Sequence, residues 1–339
     1  MLINKGNKRT ESTRLVWLDN LKAFLILLVI LGHAIQLLNP YNYQHDVLFR
    51  YIYSFHMPLF IFVSGYACFR RELQWSLVKK RFFQLIIPFS LWSIVLCIIN
   101  CDYRIWLLFV YPERSLWFLY VLFFVTFFHL VCRWLARKTH IKEELLVAVM
   151  AILFFASMFF FRLFGWPIIA KYFMFYCMGF YARKNFRFEQ QSIILTVLLL
   201  ALFLIAAFFC MQDAAPSFMT EGSSSMYKYP YNLLVAVLGI AAFMLLFANA
   251  FKWHNTLFTD TIGGGTLGLY AIHRSLGLWA ATVVVDRLFG TCDLSHEPFY
   301  YLYVVIVWIC VFFVSWIIMS LIERNNLFSM LFLGKTIRK

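Results

Sequence analysis

Three histidines fall inside the long apolar stretches of this sequence: His33 in the first, His56 in the second and His273 in the ninth, the last followed directly by Arg274. Imidazole takes up and releases a proton near neutrality, so it suits general acid–base work on a hydroxyl. An ionisable side chain placed in hydrocarbon costs several kcal/mol unless a cavity or another polar group receives it. Residues that carry this cost are the first candidates for function. Asp19 and Lys22 precede His33 in the same stretch. At 100° per residue the eleven positions from Lys22 to His33 bring both to one helix face, about 16 Å apart along the axis. Asp19 sits one turn before Lys22 on that stripe. The pattern reads as the wall of a polar passage, with an Asp–Lys pair at one mouth and an imidazole deeper in. The plainer reading is a snorkelling interfacial pair and a histidine bonded to a neighbouring helix; the two further histidines and Arg274 weigh against it.

Other residues suggest binding. Arg70, Arg71, Lys79, Lys80 and Arg81 crowd into a short connection after the second apolar stretch. They fit either an anionic lipid surface or the phosphates of a nucleotide cofactor. Ser64-Gly65 offers a close helix approach, or a hydroxyl for a ligand. Trp117 and Tyr120 open the fourth stretch and suit an interfacial aromatic belt or a wall on which a sugar stacks. Gly263-Gly264-Gly265 lacks the strand and spacing of a phosphate-binding loop.

The elements that must position these groups follow from composition. The chain has 339 residues, of which 63% are hydrophobic and 14% charged, and its mean hydropathy is +0.77. Soluble domains are nearer 45–50% apolar and about 25% charged. The composition excludes a cytosolic enzyme, a disordered chain and a nucleic-acid-binding domain, and it calls for a lipid bilayer. Apolar runs lie near 16–38, 47–69, 82–100, 115–134, 145–162, 166–182, 192–211, 231–250, 264–285 and 300–322. The expected fold is all-α: a polytopic membrane protein of about ten transmembrane helices, forming one domain over 1–339. The run at 166–182 is short, contains Lys171, and should pair with its predecessor as a hairpin. A further run at 105–111 is too short to span. With the N-terminus in the cytoplasm, 21 of the 30 Lys and Arg fall on the inner side and six outside. That bias places both termini in the cytoplasm, as tails of residues 1–15 and 323–339. No small-residue cleavage site closes the first run, so it reads as a retained helix. The eight cysteines form no CxxC pair and read as buried apolar side chains, with no metal site expected.

The stretches carrying the candidate residues resemble the acyltransferase-3 family of integral-membrane O-acyltransferases, in particular its fucose 4-O-acetylase-like and exopolysaccharide acetyltransferase branch. The resemblance runs from Arg14-Leu-Val-Trp-Leu-Asp19-Asn-Leu-Lys22 to Leu-Gly-His33, and through Phe55-His56-Met57-Pro58-Leu59-Phe60 to Ser64-Gly65-Tyr66. It continues in Lys80-Arg81 to Pro88, in Leu116-Trp117-Phe118-Leu119 and in Leu269-Tyr270-Ala-Ile-His273. It implies a ten-helix membrane domain that moves an acyl group, commonly acetyl from acetyl-CoA, to a carbohydrate hydroxyl. It also implies that His33 is the essential histidine of the first helix. The basic residue eleven positions earlier, usually Arg in the family, is Lys22 here, which keeps the charge but not a bidentate phosphate contact.

The expected mechanism has His33 as general base on the acceptor hydroxyl, with a covalent acyl carrier at His33 as its variant. His273 or His56 orients it or stabilises the oxyanion, with Arg274 a further candidate for the latter. Lys22 and Asp19 line the donor passage, and Arg70, Arg71, Lys79, Lys80, Arg81 and Ser64 hold acetyl-CoA. Trp117, Tyr120 and Arg274 receive the carbohydrate. The expected location is a bacterial inner membrane. Two rival readings are a transporter or flippase for a glycan or small acid, which releases no CoA thiol, and a structural subunit of a polysaccharide synthase, which tolerates loss of the histidines.

Overall fold

The computed structural model describes residues 14–69, 75–101, 110–112, 115–158, 160–161, 163–210 and 228–335. Arg70, Arg71, most of the 105–111 run and the N-terminal tail before residue 14 lie outside the described residues. Among the described residues every regular element is helical. In chain order these are α1 (Val16–Leu38), α2 (Val47–Ala67), α3 (Trp75–Arg81), α4 (Ile87–Ile99), α5 (Trp117–Thr139), α6 (Glu143–Ser157), α7 (Trp166–Asn185), α8 (Ile193–Cys210), α9 (Lys228–Ala250), α10 (Thr266–Ile272), α11 (Leu278–Phe289), α12 (Tyr300–Glu323) and α13 (Asn326–Leu333). Wider π-turns join α3 to α4 at Phe82–Ile86 and α10 to α11 at His273–Gly277, and a third spans Thr256–Ile262.

Seven of these segments are long and apolar enough to cross a membrane: Val16–Leu38, Val47–Ala67, Ser76–Ile99, Trp117–Thr139, Pro230–Ala250, Thr266–Phe289 and Tyr300–Glu323. The chain is a multi-pass membrane protein. The three other expected spans are helices too, with physical reasons for being weaker. α6 has only 15 residues, α7 encloses the buried Lys171 and ends in Arg183-Lys184, and the apolar part of α8 is short, Ile193–Phe209. As expected, α6 and α7 pair, with the Phe154 ring set between Trp166 and Phe173 at 4.8 Å from each. Lys79, Lys80 and Arg81 do not lie in a loop. They form the last turn of α3, which begins before the apolar run does. The segment after Glu323 also carries structure: Asn325 caps α13 with its side chain, and Trp92 of α4 donates to the Phe332 carbonyl at 2.9 Å.

Lipid offers no hydrophobic force to drive helices together, so close packing must do it. α2 and α7 make the most intimate crossing. A Cβ on Gly65 would lie 2.0 Å from the Tyr176 carbonyl oxygen, and one on Gly179 would lie 2.0 Å from that of Phe62. The two glycines let the backbones touch. The outer faces are the reverse. On α12, Leu302, Ile306, Ile309, Phe313, Ile317 and Leu321 are all exposed at helical spacing. A stripe of that size would be a liability in water and is at home against acyl chains.

Candidate active site

α1 runs through the middle of the bundle, packed against α2, α9, α10 and α12, so its polar residues face protein. Its first turn is clamped by charge. Lys22 Nζ pairs with Asp19 at 2.6 Å, Arg14 Nε pairs with Asp19 at 2.6 Å, and Arg14 Nη1 reaches Asp260 at 2.6 Å. The Arg14 guanidinium holds the Asp260 carboxyl below the usual carboxylate range. Thr259 Oγ1 donates to Asn20 at 2.6 Å, and the Asn20 amide donates to the carbonyls of Phe251 and Trp253. These bonds tie α1 to the π-turn at Thr256–Ile262. Gly263 belongs to the same joint, because a Cβ there would lie 2.3 Å from the Asp19 carbonyl oxygen.

The histidines lie three helical turns deeper. The His33 and His273 rings sit 5.3 Å apart, centroid to centroid. His56 packs against Tyr53 at 4.6 Å, and Tyr270 lies 5.7 Å from His273. Arg274, His273 and His56 all interact electrostatically with His33, and the charge of Arg274 acts on Tyr53 and Tyr270 as well. Helices α1, α2 and α10 thus bring their polar residues to one place. Two local features make this possible. Gly32 leaves room for Tyr53, whose ring would be 2.6 Å from a Cβ at that position. The π-turn beginning at His273 widens the helix where it carries His273 and Arg274; such turns are frequent at functional sites.

The hydrogen bonds fix which atoms can do chemistry. His273 Nδ1 lies 2.9 Å from the Leu269 carbonyl and His56 Nδ1 lies 2.7 Å from that of Ile52. A carbonyl only accepts, so both rings donate from Nδ1, and in the neutral form each Nε2 keeps a lone pair. His33 Nδ1 lies 2.6 Å from Gln36 Oε1, which sets the same tautomer. All three imidazoles therefore present acceptors. His273 Nε2 is fully buried and has no hydrogen-bond partner, an uncommon state for a polar atom away from solvent. His33 remains partly accessible. The fixed donor of the group is Arg274, which forms no ion pair among the described residues.

The other expected residues divide by location. Asp19 and Lys22 are held at the start of α1 and do not meet the histidines. Ser64 donates to the Phe60 carbonyl of its own helix at 2.9 Å. Lys79 and Lys80 are exposed, and Arg81 donates to Cys68 Sγ at 3.2 Å. Trp117 stacks on Tyr172 at 5.3 Å, next to Phe118, whose backbone N–H meets the Tyr270 hydroxyl at 3.4 Å. Trp117 therefore flanks the histidine group, whereas Tyr120 is buried against Phe89 and Phe124. Gln36 and Tyr53 escaped sequence reasoning. Each lies three residues from a flagged histidine, one helical turn away, and that spacing was the available signal.

Over residues 15–324 the sequence matches the acyltransferase-3 family, described as an acyltransferase domain. The nodulation protein NolL of Sinorhizobium fredii (strain NBRC 101917 / NGR234) is 40% identical over 87 residues, covering 24% of each chain. NolL of Mesorhizobium japonicum (strain LMG 29417 / CECT 9101 / MAFF 303099) is 28% identical over 259 residues, covering 65% of this chain and 59% of the relative. The match thus spans about a quarter of one of these curated relatives and somewhat over half of the other. No solved structure matches the chain. With a profile match that covers almost the whole helical bundle, including the helices that carry all three histidines, the chain belongs to the acyltransferase-3 family of membrane-embedded acyltransferases.

Proposed function

We propose that this protein transfers an acetyl group from acetyl-CoA to a hydroxyl of a cell-surface or lipid-linked carbohydrate, from a ten-span fold with both termini cytoplasmic in a bacterial inner membrane. His33 is the general base. A sugar hydroxyl is a weak nucleophile and must shed its proton as it attacks the thioester carbon; the Nε2 lone pair of His33 takes it, while Gln36 holds the ring through Nδ1. Collapse of the tetrahedral intermediate breaks the C–S bond and expels the CoA thiolate, which takes the proton back from His33; until then the oxyanion needs a donor. The neutral histidines have spent their N–H groups on their own helices, so Arg274 supplies that donor. His273 Nε2 accepts a second acceptor hydroxyl and so orients the sugar, and Trp117 offers a stacking face at the rim. Lys79, Lys80 and Arg81 anchor the donor's phosphates, together with Arg70 and Arg71.

The observation that carries this reading is the His33–His273 pair at 5.3 Å, in which the buried Nε2 of His273 is itself unpartnered. Its test is His33→Ala in purified protein supplied with radiolabelled acetyl-CoA, alongside mass analysis of surface glycans from cells expressing it. Loss of acetyl transfer at unchanged membrane abundance is expected. Full activity of the variant removes the base assignment, and an unchanged glycan mass on deletion of the gene removes the acceptor class.

A further inference from the structure

A polar hollow lies away from the histidine group, at the end of the bundle where α1 begins. That end is knit together by Trp17 donating to Glu189 at 3.1 Å and Arg183 donating to the Tyr66 hydroxyl at 2.9 Å. The hollow has a volume of about 100 Å³, and its walls include Cys68, Lys80, Arg81, His129, Arg133 and Tyr176. A single water needs far less room, so a phosphoryl group with attendant waters fits. Thr126, His129 and Arg133 form one stripe of α5 along this wall, at helical spacing.

Two independent features indicate what belongs there. His129 is 1% exposed, and its Nε2 has no hydrogen-bond partner. Rings enclose the imidazole, with Phe180 at 4.5 Å and Tyr176 at 5.4 Å, so the group has been buried at a cost with its Nε2 unused. The hollow is also strongly cationic. Arg133 is matched by Glu143 at 2.9 Å. Among the described residues Arg81 meets only weak neutral acceptors, the Cys68 thiol at 3.2 Å and the Gln84 side chain at 3.4 Å. Lys80 stands at the mouth with no carboxylate beside it among those residues. A guanidinium held against a thiol in a partly buried site lacks the anion that its geometry suits best.

We propose that this hollow binds a phosphate ester, with His129 and Arg81 as its inner donors, Arg133 orienting from the wall and Lys80 at the mouth. A phosphate diester or monoester supplies the two to three oxygen acceptors that these groups call for, and its charge offsets the excess positive charge. The source is either the nucleotide half of an acyl donor or the headgroup of an anionic lipid. The inference deepens the donor assignment above, which rests on the loop and helix-end cations and gives His129 and Arg133 no part.

The test uses the full chain in neutral detergent and in nanodiscs. Calorimetric titration with 3′,5′-adenosine diphosphate examines the nucleotide source. Native mass spectrometry of protein from nanodiscs containing phosphatidylglycerol examines the lipid. Binding of either one, weakened at least tenfold by His129→Leu and by Arg81→Gln and partly restored by His129→Asn, supports the site and names its source. Binding of neither, or binding indifferent to His129, overturns it. Should the variants unfold, wild-type protein still decides: inorganic pyrophosphate should slow maleimide labelling of Cys68, read on its own peptide, and unchanged labelling counts against the site. Acetyl transfer is followed in parallel. A His129→Leu protein that transfers acetyl with an unaltered KM for the donor refutes the hollow as a donor site and leaves acyl transfer standing. A wild-type protein that binds phosphate esters but transfers nothing does the reverse.

Discussion

The α2–α7 crossing gives the sharpest structural prediction. An alanine at position 65 places its Cβ 2.0 Å from the Tyr176 carbonyl oxygen, where ordinary contact begins near 3.4 Å. The obstacle is backbone and cannot swing aside, so the helices must part by about 1.4 Å. Overpacking of this kind costs roughly 1–3 kcal/mol, and parting by more than an ångström forfeits much of the dispersion contact along the seam. Gly179→Ala meets the same obstacle from the other helix, with its Cβ 2.0 Å from the Phe62 carbonyl oxygen. Each single variant should therefore lose roughly 1–3 kcal/mol. The double variant should lose clearly less than the sum, because helices already forced apart by the first methyl have room for the second. The assay is reversible unfolding in mixed detergent, followed by helical circular dichroism, for the two single variants and the pair. Activity should fall as well: α2 carries His56 and α7 carries the Tyr172 ring on which Trp117 stacks, and a displacement of about 1 Å near a reacting centre can cost on the order of a hundredfold in rate. Strictly additive losses, or singles as stable as the parent, would show that the two backbones do not touch and would refute the packing argument.

Three more predictions concern charge. Lys22→Met and Asp19→Asn should couple in a double-mutant cycle on stability by up to about 1 kcal/mol, as befits a partly exposed ion pair; a coupling of zero would dissolve the clamp at the start of α1. Arg274→Lys should keep the charge yet lose most of the transfer rate, since an ammonium does not reproduce a planar fork of donors; equal kcat values for the two proteins would remove the oxyanion assignment. The third prediction concerns acid. Asp260 is held below its ordinary value chiefly by Arg14, so its contribution to stability is complete above the unfolded carboxylate range near pH 4 and is lost as pH falls through the lower folded value. Thermal unfolding should thus be insensitive to this group between pH 5 and 7. It should weaken below pH 4, and Asp260→Asn should flatten that acid limb. An unaltered limb in the variant would assign the acid loss elsewhere.

Much of this was legible in the residues. The bounds of α1 and the convergence of His33, His56 and His273 both follow from apolar runs interrupted by costly polar side chains. Such interruptions are rare enough in a membrane helix to point inward. What periodicity could not show was anything set by contact between distant helices. Asp19 and Lys22 share a stripe with His33, and a helical wheel joins them into one passage. The structure keeps all three on one continuous helix, with the Asp19–Lys22 pair tied to Arg14, which in turn bonds Asp260 from far along the chain. Lys79–Arg81 looked like a loop because hydropathy falls there, although helix continues through polar residues once it has left the lipid. His129 lies in a tract of aromatic residues whose pattern gives it no signal. Only the coordinates reveal that its Nε2 has been left idle.

The uniform tautomer of the three rings has a consequence for selectivity. A site whose imidazoles all offer lone pairs would recognise visitors by the hydrogens they bring. A polyol arrives with several and can satisfy the whole wall at once. A keto or carboxylate edge brings none and finds a welcome at Arg274 alone. On the proposed function, a preference for alcohols would thus be set from α2 and α10 by backbone oxygens that never touch the guest.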